Sequence, residues 1–203
     1  HVYYLKELSR MSIEHRRLPY IYCEKPVAVN SSEVNWLKKK FSSFSTRLQV
    51  GFNLLNSDFV LEASKLITRK NLGKPISAFF QVSHGLAAKH DFSSNWRAQD
   101  TNPFSQLLGN LAIHHIHASQ HLFGKVKNFL LTEQNAFDKK NPDSLSLLLD
   151  HESGVQSHIF CSYATVFSKR FSIYLTDGLL EHSHEGLVLM SPRDTYNDAG
   201  QFT

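Results

Sequence analysis

The chain has 203 residues, of which 41% are hydrophobic and 20% charged, and its formal net charge is +4. This composition excludes a collagen-like, low-complexity or disordered polymer, and at about 150 residues per domain it predicts one full domain and part of another. No apolar run approaches the ~18 residues of a membrane span, the N-terminus lacks a signal-peptide layout, and two cysteines are too few for a disulfide scaffold. We therefore expect a cytoplasmic protein with no membrane partner. The basic residues are mostly scattered, which argues against a nucleic-acid partner.

The first 55 residues alternate between helical and strand patterns. Apolar residues at helical spacing over 1–12 precede a buried strand at 18–23. Asn30 followed by Glu33 marks the start of a second helix, and residues 47–52 have the composition of a second strand. Helix, strand, helix and strand joined by short links are typical of a parallel α/β sheet.

The pattern changes between Asn53 and Asp58, where we place the boundary between a unit of residues 1–55 and a unit of residues 56–203. The second unit begins with a helix predicted over 58–70, whose inward positions are Phe59, Leu61, Ala63, Leu66 and Ile67. A strand over 75–84 and a buried helix over 104–123 follow. The fold class predicted for the whole chain is therefore α/β plus α+β.

The chain after Gly124 has a β pattern. Strands are predicted at 144–150, 155–164, 171–175, 179–181 and 187–190, and the turn signals between them favour an antiparallel meander. Bulky groups alternate onto both faces of the 155–164 strand, so we expect an open sheet with helices on one face. Because apolar groups on the other face are rarely left bare, we expect a homo-oligomer formed through that face.

The tripeptide Glu24-Lys25-Pro26 follows a predicted buried strand immediately. The ligand crevice of an open α/β sheet lies outside the carboxyl ends of its strands, so Lys25 is well placed to meet a ligand. The alternative is an ordinary solvated loop lysine.

Four histidines lie on one predicted helix. His114, His117 and His121 share a face because they are three and four residues apart, whereas His115 points elsewhere. No carboxylate is interspersed, and the His-Glu-x-x-His pattern of metalloproteases is absent, so we expect no metal site. The favoured interpretation is one catalytic histidine, with the others making core or surface hydrogen bonds.

Several stretches together carry a resemblance. They are Tyr22-Cys23-Glu24-Lys25-Pro26-Val27-Ala28, Gln49-Val50-Gly51-Phe52-Asn53, Leu72-Gly73-Lys74-Pro75-Ile76, Trp96-Arg97, and His114 eighteen residues after Trp96 with Gly124 closing its helix. In this order they resemble the glucose-fructose oxidoreductase / inositol dehydrogenase family, also called Gfo/Idh/MocA. Its members are NAD(P)-dependent dehydrogenases with an N-terminal Rossmann domain and a C-terminal α+β domain built on an open mixed sheet.

The resemblance implies hydride transfer between a sugar-like or inositol-like alcohol and the nicotinamide of NAD or NADP. It implies catalytic roles for Lys25, His114 and Asn110. It places the cofactor near Glu24, Lys25, Pro26 and Asn53, and the substrate near Trp96, Arg97 and His117.

The chain also departs from the family pattern. No Gly-x-Gly-x-x-Gly occurs in it, and it starts at a helix that follows several strands in the family, so we expect the Gly-rich half of the Rossmann domain and the last C-terminal elements to be missing. Asn110 stands where the family usually has Asp, Leu55 where Arg is common, and His117 where Asp is frequent. Asn110 and the altered Gly-rich stretch before it, Pro103-Phe104-Ser105-Gln106, favour an alternative, a catalytically silent relative that binds a ligand or acts as an oligomeric interaction protein.

Overall fold

The computed structural model describes residues 1–15, 20–41, 48–69, 72–99, 107–137, 141–190 and 199, with the backbone alone for 11–15, Trp96 and Arg97. Its helices are α1 Val2–His15, α2 Ser31–Phe41, α3 Asp58–Arg69, α4 Trp96–Gln99 and α5 Ile113–Phe123. Its strands are β1 Ile21–Cys23, β2 Leu48–Val50, β3 Pro75–Ser83, β4 Val126–Gln134, β5 Ser144–His151, β6 Gln156–Ser162, β7 Ser168–Leu175, β8 Gly178–Ser183 and β9 Gly186–Met190.

The first unit is a short parallel sheet with two helices. β1 and β2 pair with Cys23 opposite Val50, which confirms the predicted parallel arrangement. The start of α2 is also as predicted, because the Glu33 amide donates to Asn30 Oδ1 at 2.9 Å. A small core holds this unit together, composed of Val2, Leu5, Cys23, Leu37 and Phe41.

The second unit is a seven-stranded sheet in the order β4-β5-β6-β3-β7-β8-β9. The predicted meander is wrong in one respect, because β3 lies between β6 and β7 and pairs with β6 in parallel and with β7 antiparallel. Ala78 and Phe80 of β3 are fully buried, so this strand occupies the centre of the core. The turn signals could not show this, since they report only which strands are joined by tight turns.

Helices α3 and α5 cover one face of this sheet. The opposite face, which we call the outer face, presents Phe79 and Tyr174, each 42% exposed, and Phe79 stacks on His158 at 4.4 Å between ring centroids. Bulky groups therefore do lie on both faces, as expected. The inward orientation predicted for Leu61 is wrong, because its side chain is exposed and Val60 packs into the core instead.

The segment before β3 is tied to the turn between β7 and β8 by Gly73. The φ of Gly73 is +76°, and a Cβ there would lie 1.8 Å from Thr176 Oγ1, which itself accepts a hydrogen bond from the Lys74 amide at 3.1 Å. We expect Gly73→Ala to lower the free energy of unfolding by more than about 1 kcal/mol in urea denaturation. The control is Gly154→Ala, since Gly154 also has positive φ but nothing within 4 Å of its Cβ position. Equal losses in the two variants would contradict the steric explanation.

Candidate functional site

Lys25 joins the two units at the carboxyl ends of β1 and β2. It lies directly after β1, and the Lys25–Pro26 peptide bond is cis. Its ammonium donates to the backbone oxygen of Asn110 at 2.5 Å and to Asn110 Oδ1 at 3.1 Å. Two residues 85 positions apart are thus in direct contact, and this lysine is partly buried rather than a solvated loop residue.

Asn110 lies in a π-helical turn, Leu108–Ala112, that leads into α5. Such turns occur frequently at functional sites. The Asn110 amide also donates from Nδ2 to the hydroxyl of Tyr163 at 2.8 Å, so the side chain has a partner at each end. Tyr163 follows β6 immediately and is 2% exposed. Tyr163 was not predicted from the sequence, because no local pattern connects residues 53 positions apart.

His114 lies one helical turn after Asn110 and is partly buried. Its ring forms a T-shaped pair with that of Phe52, with 6.3 Å between centroids and an interplanar angle of 85°. Burial is the main cause of a lowered His114 pKa; nearby Lys25 lowers it further, whereas Glu24 opposes the shift. Its Nδ1 is buried without a hydrogen-bond partner in the described part of the chain. The imidazole is therefore kept neutral near neutral pH and can accept a proton.

Phe52 also organises the next histidine along the helix. Its ring stacks on His117 at 3.9 Å and 14°. Burial lowers the pKa of His117 as well, whereas His121 is exposed to solvent. The shared face predicted for these histidines is therefore visible at His114 and His117, which both contact Phe52. Phe52 belongs to the stretch that carried the resemblance, but its role as their common contact was not predicted.

His115 points into the core of the second unit, against Phe80 and Phe171, and is 4% exposed. The hydrogen bond expected for a core histidine is missing at Nδ1, which has no partner among the described residues. Burial lowers the pKa of His115 to about 3, with smaller contributions from His114 and Lys169.

The buried His115 should make stability depend on pH. Between the ordinary histidine pKa of about 6.5 and the folded-state value of about 3, the unfolded chain binds the extra proton, so stability falls as pH falls through this window. We expect the melting temperature of His115→Leu to decline less than that of the unmodified protein between pH 6.5 and pH 4. The matched control is His121→Leu on the exposed side of the same helix; an identical decline in all three proteins would contradict the assignment.

The other predicted site residues lie along the same edge or outside the described side chains. Glu24 accepts a hydrogen bond from the Tyr22 hydroxyl at 3.2 Å. Asn53 is exposed and opens a 3₁₀ turn after β2. The backbone of Trp96 and Arg97 begins α4, but their side chains are outside the described part of the structure.

Neither a metal site nor a membrane-spanning helix occurs among the residues that the structure describes. No group of three or more histidine, cysteine, aspartate or glutamate side chains there could hold a metal ion. No helix in the described ranges is long and apolar enough to cross a membrane.

Restoring a carboxylate at position 110 tests the electrostatics of this site. We expect Asn110→Asp to raise the pKa of His114, because a nearby negative charge favours the imidazolium. Titration of the histidine ring protons by NMR would measure the shift, with His121 as an internal reference that should not move. If the protein has a catalytic activity in which His114 acts as base, the acidic limb of its pH-rate profile should move to higher pH, since a higher pH is then needed to keep His114 neutral. A His114 pKa that stays fixed would show that the two side chains are not electrostatically coupled.

Comparison with protein-family models gives a match over residues 60–181 to the model described as the GFO/IDH/MocA C-terminal domain. This match covers more than half of the chain and includes the π-helical turn, α5 and strands β3 to β7. The chain therefore belongs to the Gfo/Idh/MocA family, as the resemblance predicted. No curated protein matches the sequence.

Solved structures share the fold at low sequence identity. An NAD-binding oxidoreductase from Klebsiella pneumoniae superposes with a TM-score of 0.78 at 22% identity, covering 90% of this chain and 52% of that one. An oxidoreductase from Agrobacterium radiobacter in complex with NAD+, L-tartaric acid and magnesium gives 0.73 at 20% identity, covering 95% and 60%. An inositol dehydrogenase homologue from Azotobacter vinelandii, complexed with NADH and myo-inositol, gives 0.73 at 18% identity, covering 90% and 49%. This chain thus spans about half to three fifths of the length of these relatives.

Proposed function

We propose that this chain is part of an NAD(P)-dependent oxidoreductase that transfers a hydride between the nicotinamide and a sugar-like or inositol-like alcohol. The observation that carries the proposal is the contact of Lys25 with Asn110, because it brings the ammonium of the first unit to the helix that carries His114. In this proposal residues 1–55 are the second half of a Rossmann-like domain, and residues 56–203 form the substrate and oligomerisation domain.

The chemistry requires a base for the hydroxyl proton and a positive charge near the developing alkoxide. His114 takes the proton, because its lowered pKa keeps the ring neutral and ready to accept one. The Lys25 ammonium stabilises the negative charge on the substrate oxygen. Asn110 holds Lys25 in place and can orient a substrate hydroxyl, but it adds no negative charge. A bound nicotinamide dinucleotide supplies the hydride acceptor or donor.

In this proposal the dinucleotide lies at the edge formed by the ends of β1 and β2. Glu24, Lys25 and Pro26 follow β1, and Asn53 follows β2, in the position where α/β sheets bind ligands. The space beside Gly51 is filled by the chain's own side chains, since a Cβ on Gly51 would lie 2.6 Å from the Tyr22 hydroxyl and 3.1 Å from Glu24 Oε2. Glu24, Lys25, Pro26 and Asn53 would hold the nicotinamide half of the cofactor.

The substrate is proposed from the ligands of related structures, and the partner from the exposed outer face of the sheet. Related structures are complexes with myo-inositol and with L-tartaric acid, which supports a small hydroxylated substrate for this chain. Trp96, Arg97 and His117 are the proposed substrate contacts. We further propose a cytoplasmic homo-oligomer assembled through the outer face of the seven-stranded sheet, and light scattering that shows a strict monomer at micromolar concentration would count against that assembly.

The decisive experiment is a titration of the full-length protein with NADH and NADPH, in which nicotinamide fluorescence is recorded. Saturable binding of either cofactor, followed by reduction of NAD or NADP with a panel of polyols and sugars, is the expected result. Absence of binding to both cofactors by a folded protein would refute the proposal.

A second candidate is a catalytically silent relative, and Asn110 is the observation that favours it. Its neutral amide has Lys25 at one end and Tyr163 at the other, where the family usually has a carboxylate. Cofactor binding without turnover across a broad substrate panel, in both the unmodified protein and Asn110→Asp, would establish this alternative.

A further inference from the structure

We propose that Lys169 binds an anionic group of the substrate, a carboxylate or a phosphate, so that the substrate is an acidic polyol rather than a neutral one. This inference rests on the proposed function and deepens it by naming the substrate class. The observation that carries it is a cavity of about 470 Å³ whose lining includes Lys169 and other basic residues but no acidic one. The cavity lies on the inner face of the seven-stranded sheet, which is the face that α3 and α5 partly cover.

The cavity lies at the end of the sheet where Tyr163 contacts the π-helical turn. In the central strand β3, Ser83 pairs with Ser162 of β6 on one side and with Ser168 of β7 on the other. Tyr163 directly follows the first of these partners, and Lys169 directly follows the second. A ligand whose acidic group is bound by Lys169 therefore lies at the same end of the sheet as the proposed catalytic residues.

The side chain of Lys169 belongs to the inner face, because it alternates along β7 with Phe171 and Ile173, which are 2% and 1% exposed. Its Nζ lies over the Phe171 ring, 5.4 Å from the centroid, where the ring attracts a cation. Phe171 also packs against His115 of α5 at 5.4 Å between centroids. Besides burial and His114, the charge of Lys169 lowers the pKa of His115, so this charge acts as far as the helix of the proposed base.

Lys169 has no acidic partner among the residues that the structure describes, where the ion pairs lie elsewhere. Glu181 alternates with the buried Leu180 onto the outer face, and Glu185 lies 3.8 Å from His184. Arg170 lines the cavity too, but its side chain alternates onto the outer face. Lys169 is therefore the lining residue that directs a full positive charge into the cavity, and an anionic group is what would complete it.

His182 adds a hydrogen-bond donor to the same cavity. Its ring stacks on Phe171 with 5.7 Å between centroids and an interplanar angle of 23°. Its Nδ1 is buried without a partner in the described part of the chain. A buried N–H without an acceptor is disfavoured, so the neutral ring carries its proton on Nε2. An ammonium and an N–H suit an ionised oxygen better than a hydroxyl, because hydrogen bonds to ionised acceptors are roughly twice as strong.

The test compares three ligands that share one carbon chain and differ in charge: D-gluconate, a D-glucitol phosphate and neutral D-glucitol. Each is titrated into the full-length protein without cofactor, and the NMR signals of the histidine ring protons are recorded. We expect at least one acid to bind about tenfold more tightly than D-glucitol, the difference between a charge-assisted and a neutral hydrogen bond. That acid should shift the signals of His182 and leave those of the exposed His121 in place.

The acid that binds more tightly identifies the group for which the cavity is built, a carboxylate or a phosphate. Equal affinities for all three ligands would overturn the proposal, and so would tighter binding of an acid that leaves the His182 signals unmoved.

Substitution of Lys169 tests whether its charge is the cause. Lys169→Met keeps an unbranched side chain that can pack on Phe171, and it should reduce the affinity for the acid to that for D-glucitol. Lys169→Arg should retain the preference, because it retains the charge. The matched control is Lys74→Met, which removes an exposed positive charge just before β3, at the opposite end of the sheet. A preference that survives in Lys169→Met, or that Lys74→Met abolishes equally, would overturn the proposal.

Failure of the proposed function is distinguishable from failure of this inference. A protein that neither binds nor reduces a nicotinamide cofactor, but prefers an acid through Lys169, would remove the oxidoreductase proposal and keep the anion site. Turnover of neutral polyols, combined with equal binding of the three ligands, would do the reverse.

Discussion

Replacement of His114, the proposed general base, by glutamine is expected to lower kcat by roughly 10²–10⁴-fold, the usual contribution of a positioned general base. Glutamine keeps a polar side chain that is compatible with a helix, but it cannot take up a proton near neutral pH. The Michaelis constant should change much less than kcat, because the proton is transferred only as the hydride leaves. Steady-state kinetics with the best substrate from the panel would measure both constants.

The matched control for this variant is His121→Gln, two helical turns later and exposed to solvent. It carries the same substitution on the same helix and should retain full activity. A His114→Gln enzyme that keeps more than a tenth of the original kcat would show that another group accepts the proton.

Replacement of Lys25, the proposed stabiliser of the substrate oxyanion, by methionine is expected to lower kcat by about 10²–10³-fold, the usual effect of removing one such group. A second effect concerns pH. Lys25 lowers the pKa of His114, so its removal raises that pKa, and the acidic limb of the pH-rate profile moves to higher pH. The two effects together distinguish Lys25 from a residue that only holds the two units in contact.

Lys125→Met is the corresponding control, since Lys125 is exposed beyond the end of α5. It removes one positive charge at a distance from the site and should change neither kcat nor the pH profile. Loss of activity in Lys25→Met without any displacement of the acidic limb would leave Lys25 as a structural contact and contradict its electrostatic role toward His114.

Helices and strands were predicted well where the signal lies within the element itself. The Asn30 and Glu33 pair marked the start of α2, and the apolar spacing of 58–70 marked α3 to within one residue. Strand β4 was not predicted individually, because Val126–Gln134 lies at the sheet edge, is largely exposed, and lacks a clean alternation of polar and apolar residues. The place of β3 could not be predicted either, since it is set by packing against strands about 80 and 90 residues later.

The predicted roles of the site residues stay predictions, and the structure reports on their contacts. The resemblance singled out Lys25, Asn110 and His114, and the structure places Lys25 against Asn110 on the approach to the helix of His114. The contacts of Tyr163 and Phe52 were not predictable, because they arise where the end of one strand meets a helix from a different part of the chain. Side-chain orientation adds a further difficulty: the neighbours His114 and His115 face the site and the core, respectively, and only the packing of α5 on the sheet decides which is which.

The central position of β3 also has a consequence for how the chain is made. A ribosome produces β3 before either of its neighbours, and at the usual rate of synthesis roughly 5 to 20 seconds pass before β7 is complete. Both edges of β3 are unpaired until β6 has been made, one edge stays unpaired until β7 follows, and before then the apolar side chains of Ala78 and Phe80 have no complete sheet to enter. Closing such long loops slows folding, and exposed strand edges invite pairing with other chains. We therefore expect the nascent chain to depend on chaperones until β7 has emerged.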